Sequence, residues 1–286
     1  MILVLFVWVD LTTHQPNLAP TISRSVYAEK NIAETSLADA RMGVGRALPS
    51  DAAQNYFLSG PSKPLTEHFR EKRAGLYSDM NLLDEVAKVN GFYSLWLPRF
   101  GEVQHLLYDG PHELRQGFAD FLGIRHVTSS RSPIEWMTRN TARPLVTAGQ
   151  APVVMSFAEI QAALPTPQFN PAENVLLETP ISGPVRDRSA TVTNLQWVAH
   201  RIRFRVNAAV PTMATIAQSH YHCWRATLNG APVPIHLANG AFQALAVPAG
   251  DSEIVMEYVD RGFQIGAMLS GLSVLMAMGF WLRLRA

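Results

Sequence analysis

The clearest pattern of apolar and polar positions along the chain is an uninterrupted apolar stretch near its C-terminus. Residues 263–282 read FQIGAMLSGLSVLMAMGFWL, without a charged side chain, and are followed by Arg283 and Arg285. At about 1.5 Å per residue, a helix of this length spans about 30 Å, the thickness of the hydrocarbon core of a bilayer. We therefore predict a transmembrane helix at residues 263–282 rather than a buried core helix.

The N-terminus carries a shorter apolar run at residues 1–10, about half the length of a membrane span. No basic residues precede the run and no small-residue cleavage site follows it, so the pattern does not match a signal peptide. We interpret residues 1–10 as the outer end of a membrane helix whose beginning is missing; a buried first strand is the alternative. Residues 11–29 contain Pro16 and Pro20 and no apolar period, which favours an extended connector.

Residues 30–180 alternate short apolar runs with helical patterns, and we predict a mixed α/β domain. Glycines that follow the apolar periods end two of the predicted helices. Ser156 and Glu159 form a capping-box pattern that starts a short helix before Pro165. The other elements predicted within this domain are a helix over residues 82–90, a helix over residues 111–122 and a strand over residues 124–128.

Residues 190–260 change to a period of two, which is typical of strands with one buried face. The pairs Asn229-Gly230 and Asn239-Gly240 separate three of the apolar runs, and Asn-Gly favours the tight turn of a hairpin. We predict an antiparallel β-sandwich, jelly-roll-like in form. The predicted fold class is α+β: a mixed α/β region, this sandwich and a C-terminal transmembrane helix.

Composition excludes several classes of function. The chain has 286 residues with 24 basic and 23 acidic side chains, a net charge of +1. Such a balance provides no basic surface for a phosphate backbone, so we predict no nucleic-acid partner. Cys223 is the only cysteine, which excludes an internal disulfide and a multi-cysteine zinc site.

Candidate catalytic and metal-binding patterns are weak. His220 and His222 leave the same face of a predicted strand, and His236 lies across the hairpin, but two ligands and a distant third do not make a metal site. Asp79 and Asp84 read as helix-start residues rather than as an acid/base pair. We predict no catalytic residue, no metal site and no cofactor.

Aromatic side chains provide the candidate binding site. Sugar-binding sites use such rings because the apolar face of a pyranose stacks on them. For Trp224, packing in the core of the sandwich is the alternative. The candidate glycan contacts are Phe92, Tyr93, Trp96, Tyr221 and Trp224.

One segment resembles a known family. Residues 219–250 read SHYHCWRATLNGAPVPIHLANGAFQALAVPAG and, with the strand and apolar helix that follow, resemble the C-terminal extracytoplasmic region and last membrane helix of YfhO-like bacterial membrane proteins, which are related to GT-C glycosyltransferases. Weaker similarity lies at residues 9–16, 77–100 and 121–130. The family's many preceding membrane helices, which hold its expected catalytic carboxylates, have no counterpart here, so no catalytic residue is carried over.

The resemblance implies a role in cell-envelope glycan or polysaccharide assembly. We expect the C-terminal extracytoplasmic part of a GT-C-like integral membrane protein, noncatalytic alone, with the lipid bilayer, a polyprenyl-linked or polymeric glycan and other membrane helices as partners. The alternative is a complete membrane-anchored glycan-binding or scaffolding protein without enzymatic activity. Because basic residues favour the cytoplasmic side, Arg283 and Arg285 predict a cytoplasmic C-terminus in the cell membrane and an extracytoplasmic main domain.

Overall fold

The structure combines helices and strands in an α+β chain. A computed structural model describes residues 2–14, 21–30, 36–60, 63–91, 95–108 and 116–285. Its helices are α1 (Ile2–His14), α2 (Arg24–Tyr27), α3 (Asp51–Ser59), α4 (Leu65–Ala74), α5 (Pro98–His105), α6 (Gln116–Phe121), α7 (Phe157–Ala163) and α8 (Arg261–Arg285), with a 3-10 helix at Met80–Asp84. The strands are β1 (Arg46–Leu48), β2 (Ile124–Thr128), β3 (Trp136–Thr138), β4 (Val146–Val154), β5 (Asn174–Leu177), β6 (Thr191–Val198), β7 (Arg201–Ala208), β8 (Thr212–Ile216), β9 (Trp224–Leu228), β10 (Ala231–Val233), β11 (His236–Ala238), β12 (Phe242–Val247) and β13 (Gly250–Tyr258).

The first half of the chain contains a small three-stranded sheet. Its strand order is β1-β2-β3, with β1 parallel to β2 and β2 antiparallel to β3. The segment around Lys88 flanks β1, because the Ala47 amide donates to the Ala87 carbonyl at 2.8 Å and the Val89 amide donates to the Ala47 carbonyl at 3.1 Å. The predicted strand over residues 124–128 is confirmed as β2.

The helix predicted over residues 82–90 is wrong. A 3-10 helix ends at Asp84, and Glu85 adopts a left-handed φ of 53° that stops the helical path. The residues that follow pair with β1, so a tertiary contact overrides the local apolar period. The helix predicted over residues 111–122 is described only from Gln116, where α6 begins, and Gly123 with φ 64° follows its end.

The second half of the chain forms two β-structures. One is a sheet of order β10-β9-β13-β7-β6, which is antiparallel throughout, and the other is a closed barrel of order β11-β12-β8-β4-β5. The antiparallel character predicted for residues 190–260 is confirmed, but the strands divide between sheet and barrel instead of forming a jelly roll. Strands β4 and β5, from the predicted mixed domain, complete the barrel and connect the two predicted ranges.

The burial of β8 explains this arrangement. All five of its residues are buried, and its alternate side chains enter different clusters. Met213 packs with Val175 and Leu177 inside the barrel, whereas Ala214 and Ile216 face the five-stranded sheet. A strand that is buried on both faces needs a layer on each side, and the barrel and the sheet provide these two layers.

Local turn and cap signals are confirmed. Asn229 and Gly230 have φ values of 49° and 83° and join β9 to β10, and Asn239 and Gly240, at 46° and 79°, join β11 to β12. Positive φ at both positions is the type I′ geometry that twists with its strands. Ser156 and Glu159 form the capping box that begins α7.

Both terminal helices expose their apolar side chains. Residues 261–284 of α8 form the one helix within the described ranges that is long and apolar enough to cross a membrane, and none of it is buried. The buried core helix considered for this segment is therefore not what the chain forms. Helix α1 extends to His14, and α2 spans Arg24–Tyr27, so these residues are helical where an extended connector over residues 11–29 was predicted.

Gly149 provides a test of the barrel geometry. It lies at a bulge between β4 and β8 with φ 101°, and a Cβ there would lie 2.2 Å from the Asp187 carbonyl oxygen. We expect Gly149→Ala to lower the free energy of unfolding by about 2–4 kcal/mol more than Gly183→Ala, measured by urea denaturation. Gly183 is a matched control, since its φ is 105° and no atom of the described residues lies within 4 Å of a Cβ added there. Equal losses in the two variants would mean that only backbone conformation matters.

Candidate functional site

Two adjoining cavities share Lys88 and Trp96 in their walls, and the second of them lies between the small sheet and the barrel. We call them together the cleft. The aromatic cavity, of about 280 Å³, is lined among others by Phe57, Tyr77, Asn90, Trp96, Gln104 and Tyr108. The cationic cavity, of about 420 Å³, is lined among others by Arg46, Lys88, Trp96, Phe100, Ser219 and Phe242.

Arg46 provides the first cation of the cleft. It opens β1, and its guanidinium donates to the Leu122 carbonyl at 3.0 Å and to the Ala217 carbonyl at 2.6 Å. These bonds connect the small sheet to the segment that follows β8 in the barrel. Burial lowers the pKa of Arg46 to about 10, so the group remains charged at neutral pH.

Lys88 provides the second cation. Its ammonium donates to the Leu76 carbonyl at 2.8 Å and to the Ser78 carbonyl. Leu76 and Ser78 have left-handed φ values of 53° and 54°, a conformation that costs about 1–2 kcal/mol for a residue with a side chain. The lysine therefore secures a strained loop at the edge of the cleft, where backbone strain often marks a functional position.

The two cations lack carboxylate neighbours in the cavity walls. Among the described residues, no aspartate or glutamate lines either cavity. Burial lowers the pKa of Lys88 to about 8, and nearby Asp79 opposes this shift only in part. Buried positive charge that is held by backbone carbonyls and offset only in part by Asp79 raises the local potential and attracts anions.

The charge of Lys88 gives a pH-dependent stability. Because its folded pKa of about 8 lies below the ordinary value of about 10.4, the unfolded chain binds more protons between these pH values, and stability rises with pH there. Below about pH 8, where Lys88 is protonated in the folded chain, the buried charge lowers the free energy of unfolding by its full amount. From about pH 7 to about pH 10, we expect wild type to gain about 2.5 kcal/mol relative to Lys88→Met in urea denaturation. Identical pH profiles for both proteins would contradict the assignment.

Two buried amide side chains in the aromatic cavity have unpaired acceptors. Asn90 is 8% exposed and Gln104 is 7% exposed. Within the part of the chain that the structure describes, Asn90 Oδ1 and Gln104 Oε1 have no hydrogen-bond partner. An unsatisfied buried acceptor costs about 1–3 kcal/mol, so a ligand that donates to these oxygens recovers part of that free energy.

Trp96 connects the two cavities. It lies just before α5, whose first residue is Pro98, and it is 45% exposed. Phe100, one turn further, packs against Phe242 of the barrel with ring centroids 6.1 Å apart. In the aromatic cavity the Tyr108 hydroxyl donates to the Pro49 carbonyl at 3.4 Å, and burial raises the pKa of Tyr108. The tryptophan thus presents an apolar ring between a charged and a polar compartment.

The other predicted glycan contacts lie elsewhere. Phe92 and Tyr93 fall outside the described residues. Trp224 is 6% exposed and meets Tyr258 edge to face at 5.6 Å, which matches the core-packing alternative. Tyr221 is half-buried and stacks on Tyr258 with centroids 6.2 Å apart. Of the described candidates, Trp96 alone lines the cleft.

The histidines do not assemble into a ligand set. Within the described ranges, no three His, Cys, Asp or Glu side chains lie close enough to hold a metal ion. Burial lowers the pKa of His220 and of His236, which favours the neutral form of both rings.

Sequence reasoning missed four residues of the cleft: Arg46, Lys88, Asn90 and Gln104. Arg46 had one usable signal, since it precedes the short apolar run of β1 and is a charge beside a buried strand. Lys88 had none, because its segment reads as part of a helix. Asn90 and Gln104 are ordinary polar residues until burial removes their solvent.

No protein-family model, curated protein or solved structure matches this chain. A functional proposal therefore depends on the chemistry of the cleft and on helix α8.

Proposed function

We propose that this chain is the extracytoplasmic, glycan-holding part of a GT-C-like membrane protein of the cell envelope, anchored by α8 and noncatalytic alone. The observation that carries the proposal is the position of Trp96. Its accessible ring borders both cavities, and the aromatic cavity is also lined by two buried amides whose oxygens have no partner among the described residues. An apolar ring combined with fixed polar groups suits a pyranose, which has an apolar face and a hydroxylated edge.

Helix α8 supports the membrane part of the proposal. Its residues are exposed throughout, and such a surface is stable only in lipid or against another apolar surface. Arg283 follows the apolar stretch, so the positive-inside tendency favours a cytoplasmic C-terminus and an extracytoplasmic cleft. A Cβ added at Gly266 or Gly271 would meet nothing within 4 Å, which leaves these small positions open to a neighbouring membrane helix.

Trp96→Ala tests the glycan part. Removing the stacking ring is expected to weaken binding of polymeric cell-envelope glycans by the detergent-solubilised full chain about tenfold, measured by isothermal titration calorimetry. Trp281→Ala is a matched control, because Trp281 is 50% exposed but lies in α8, away from the cleft residues. Circular dichroism checks that both variants fold.

Two results would contradict the proposal. Binding that is unchanged by Trp96→Ala would remove the cleft as the glycan site. Sugar transfer or hydrolysis by the purified wild-type chain would show that it is catalytic by itself.

A further inference from the structure

We infer that the cleft binds an anionic saccharide, with its phosphate or carboxylate between Arg46 and Lys88, its ring on Trp96 and its hydroxyls at Asn90 and Gln104. The inference deepens the proposed function and rests on it, because it names the charge class of the bound glycan.

The cationic cavity carries positive charge that suits an anionic group. Arg46 and Lys88 both line it, and no acidic side chain among the described residues does. Their described hydrogen bonds go to four backbone carbonyls and leave other N–H donors of the guanidinium and the ammonium unused. A bound anion would accept these hydrogens and neutralise positive charge that the protein compensates only in part.

The two buried amides of the aromatic cavity independently favour a ligand with hydroxyl groups. Asn90 Oδ1 and Gln104 Oε1 are buried oxygens that only accept hydrogen bonds and have no partner in the described part of the chain. An ionised phosphate or carboxylate has no hydrogen to give them, so the anion belongs in the other cavity. Hydroxyl groups do donate, which makes a polyol the matching neighbour of the anion.

The two cavities share wall residues and together are large enough for one ligand. Lys88 and Trp96 are common to both cavities, so a single ligand can contact the cations, the ring and the amides together. Small-molecule sites usually have about 300–1,000 Å³. Cavities of about 280 Å³ and about 420 Å³ provide this volume. A free anion would leave the aromatic cavity empty, and a neutral sugar would bring no negative charge to the two cations.

Binding should therefore depend on the charge of Lys88. Lys88→Gln removes the charge, whereas Lys88→Arg keeps it and serves as the matched control. The probes are glucose 1-phosphate, glucuronic acid, glucose and inorganic phosphate, titrated into the detergent-solubilised full chain by calorimetry. At about pH 7, we expect at least one of the two charged sugars to bind about tenfold or more tightly than either glucose or inorganic phosphate.

The variants locate the anion. Lys88→Gln should reduce the preference for the charged sugar over glucose about tenfold, and Lys88→Arg should keep the preference. Wild-type affinity for the charged sugar should also fall as pH rises through about 8. Thermal unfolding of each variant verifies that it folds. Preference for glucose 1-phosphate would identify a phosphate ligand, and preference for glucuronic acid would identify a carboxylate ligand.

Several outcomes overturn the inference and separate it from the broader proposal. Equal affinity for glucose and both charged sugars, with all three weakened by Trp96→Ala, would overturn the anion and retain the glycan site. Equal affinity for inorganic phosphate and glucose 1-phosphate would overturn the saccharide part. An unchanged preference in Lys88→Gln would place the anion elsewhere. Absence of binding by every probe up to about 10 mM would overturn both the inference and the glycan site.

Discussion

Asp84→Ala is expected to lower the free energy of unfolding by about 3–5 kcal/mol, measured by urea denaturation. Asp84 and Arg73 form a buried ion pair, in which Arg73 Nε donates to Asp84 Oδ2 at 3.0 Å and Arg73 Nη2 donates to Asp84 Oδ1. Removing the carboxylate leaves the guanidinium buried without its principal charge partner. A loss below about 1 kcal/mol would contradict this role.

The same pair supports the cleft. Arg73 lies near the end of α4 and Asp84 ends the 3-10 helix, so the pair brackets the loop whose carbonyls receive Lys88. We therefore expect Asp84→Ala to weaken ligand binding in the cleft as well. Glu253→Gln is a suitable control, because it breaks the partly exposed Arg203–Glu253 pair and should cost less than about 1 kcal/mol. Arg73→Met combined with Asp84→Leu should recover much of the loss, since both charges are then absent.

Removing helix α8 is expected to release the chain from membranes completely. The helix provides the apolar length needed to span a bilayer, whereas α1, at 13 residues, is too short to do so alone. After alkaline extraction of membranes from expressing cells, the full chain should sediment and a chain ending at Asp260 should stay in the supernatant. Deleting residues 1–14 instead should leave the chain in the membrane.

A point substitution provides a sharper version of this test. Leu272→Arg places a charge near the middle of α8 and should disfavour insertion by about 2.5–3.5 kcal/mol, whereas Leu82→Arg, exposed in the main domain, should have no effect on sedimentation. Retention of the chain ending at Asp260, with release on deleting residues 1–14, would assign the anchor to α1.

Features governed by a few neighbouring residues could be predicted from the sequence. The two Asn-Gly turns, the capping box at Ser156 and strand β2 all appear where their patterns place them. Each depends on backbone sterics or hydrogen bonds within a few residues, so the surrounding fold has little influence. Helix α8 belongs with them, because length and unbroken apolar character are properties of the segment itself.

Features that join distant segments could not be predicted in this way. Strand β4 pairs with β8 across the predicted domain boundary, and the segment at Lys88 forms an edge beside β1 although its period reads as helical. In both places a partner far along the chain decides the structure, since sheet pairing depends on which apolar faces remain to be covered.

The cleft shows the same division between local pattern and fold. The sequence by itself identified Trp96 as an aromatic candidate and α8 as an apolar helix. Only the tertiary structure brought Trp96 beside Lys88 and Arg46 and separated Trp224 from it. It also buried the amide oxygens of Asn90 and Gln104 without a partner in the described ranges. The physical reason is that charge compensation and hydrogen-bond satisfaction depend on which groups exclude water together, and that grouping exists only in the folded chain.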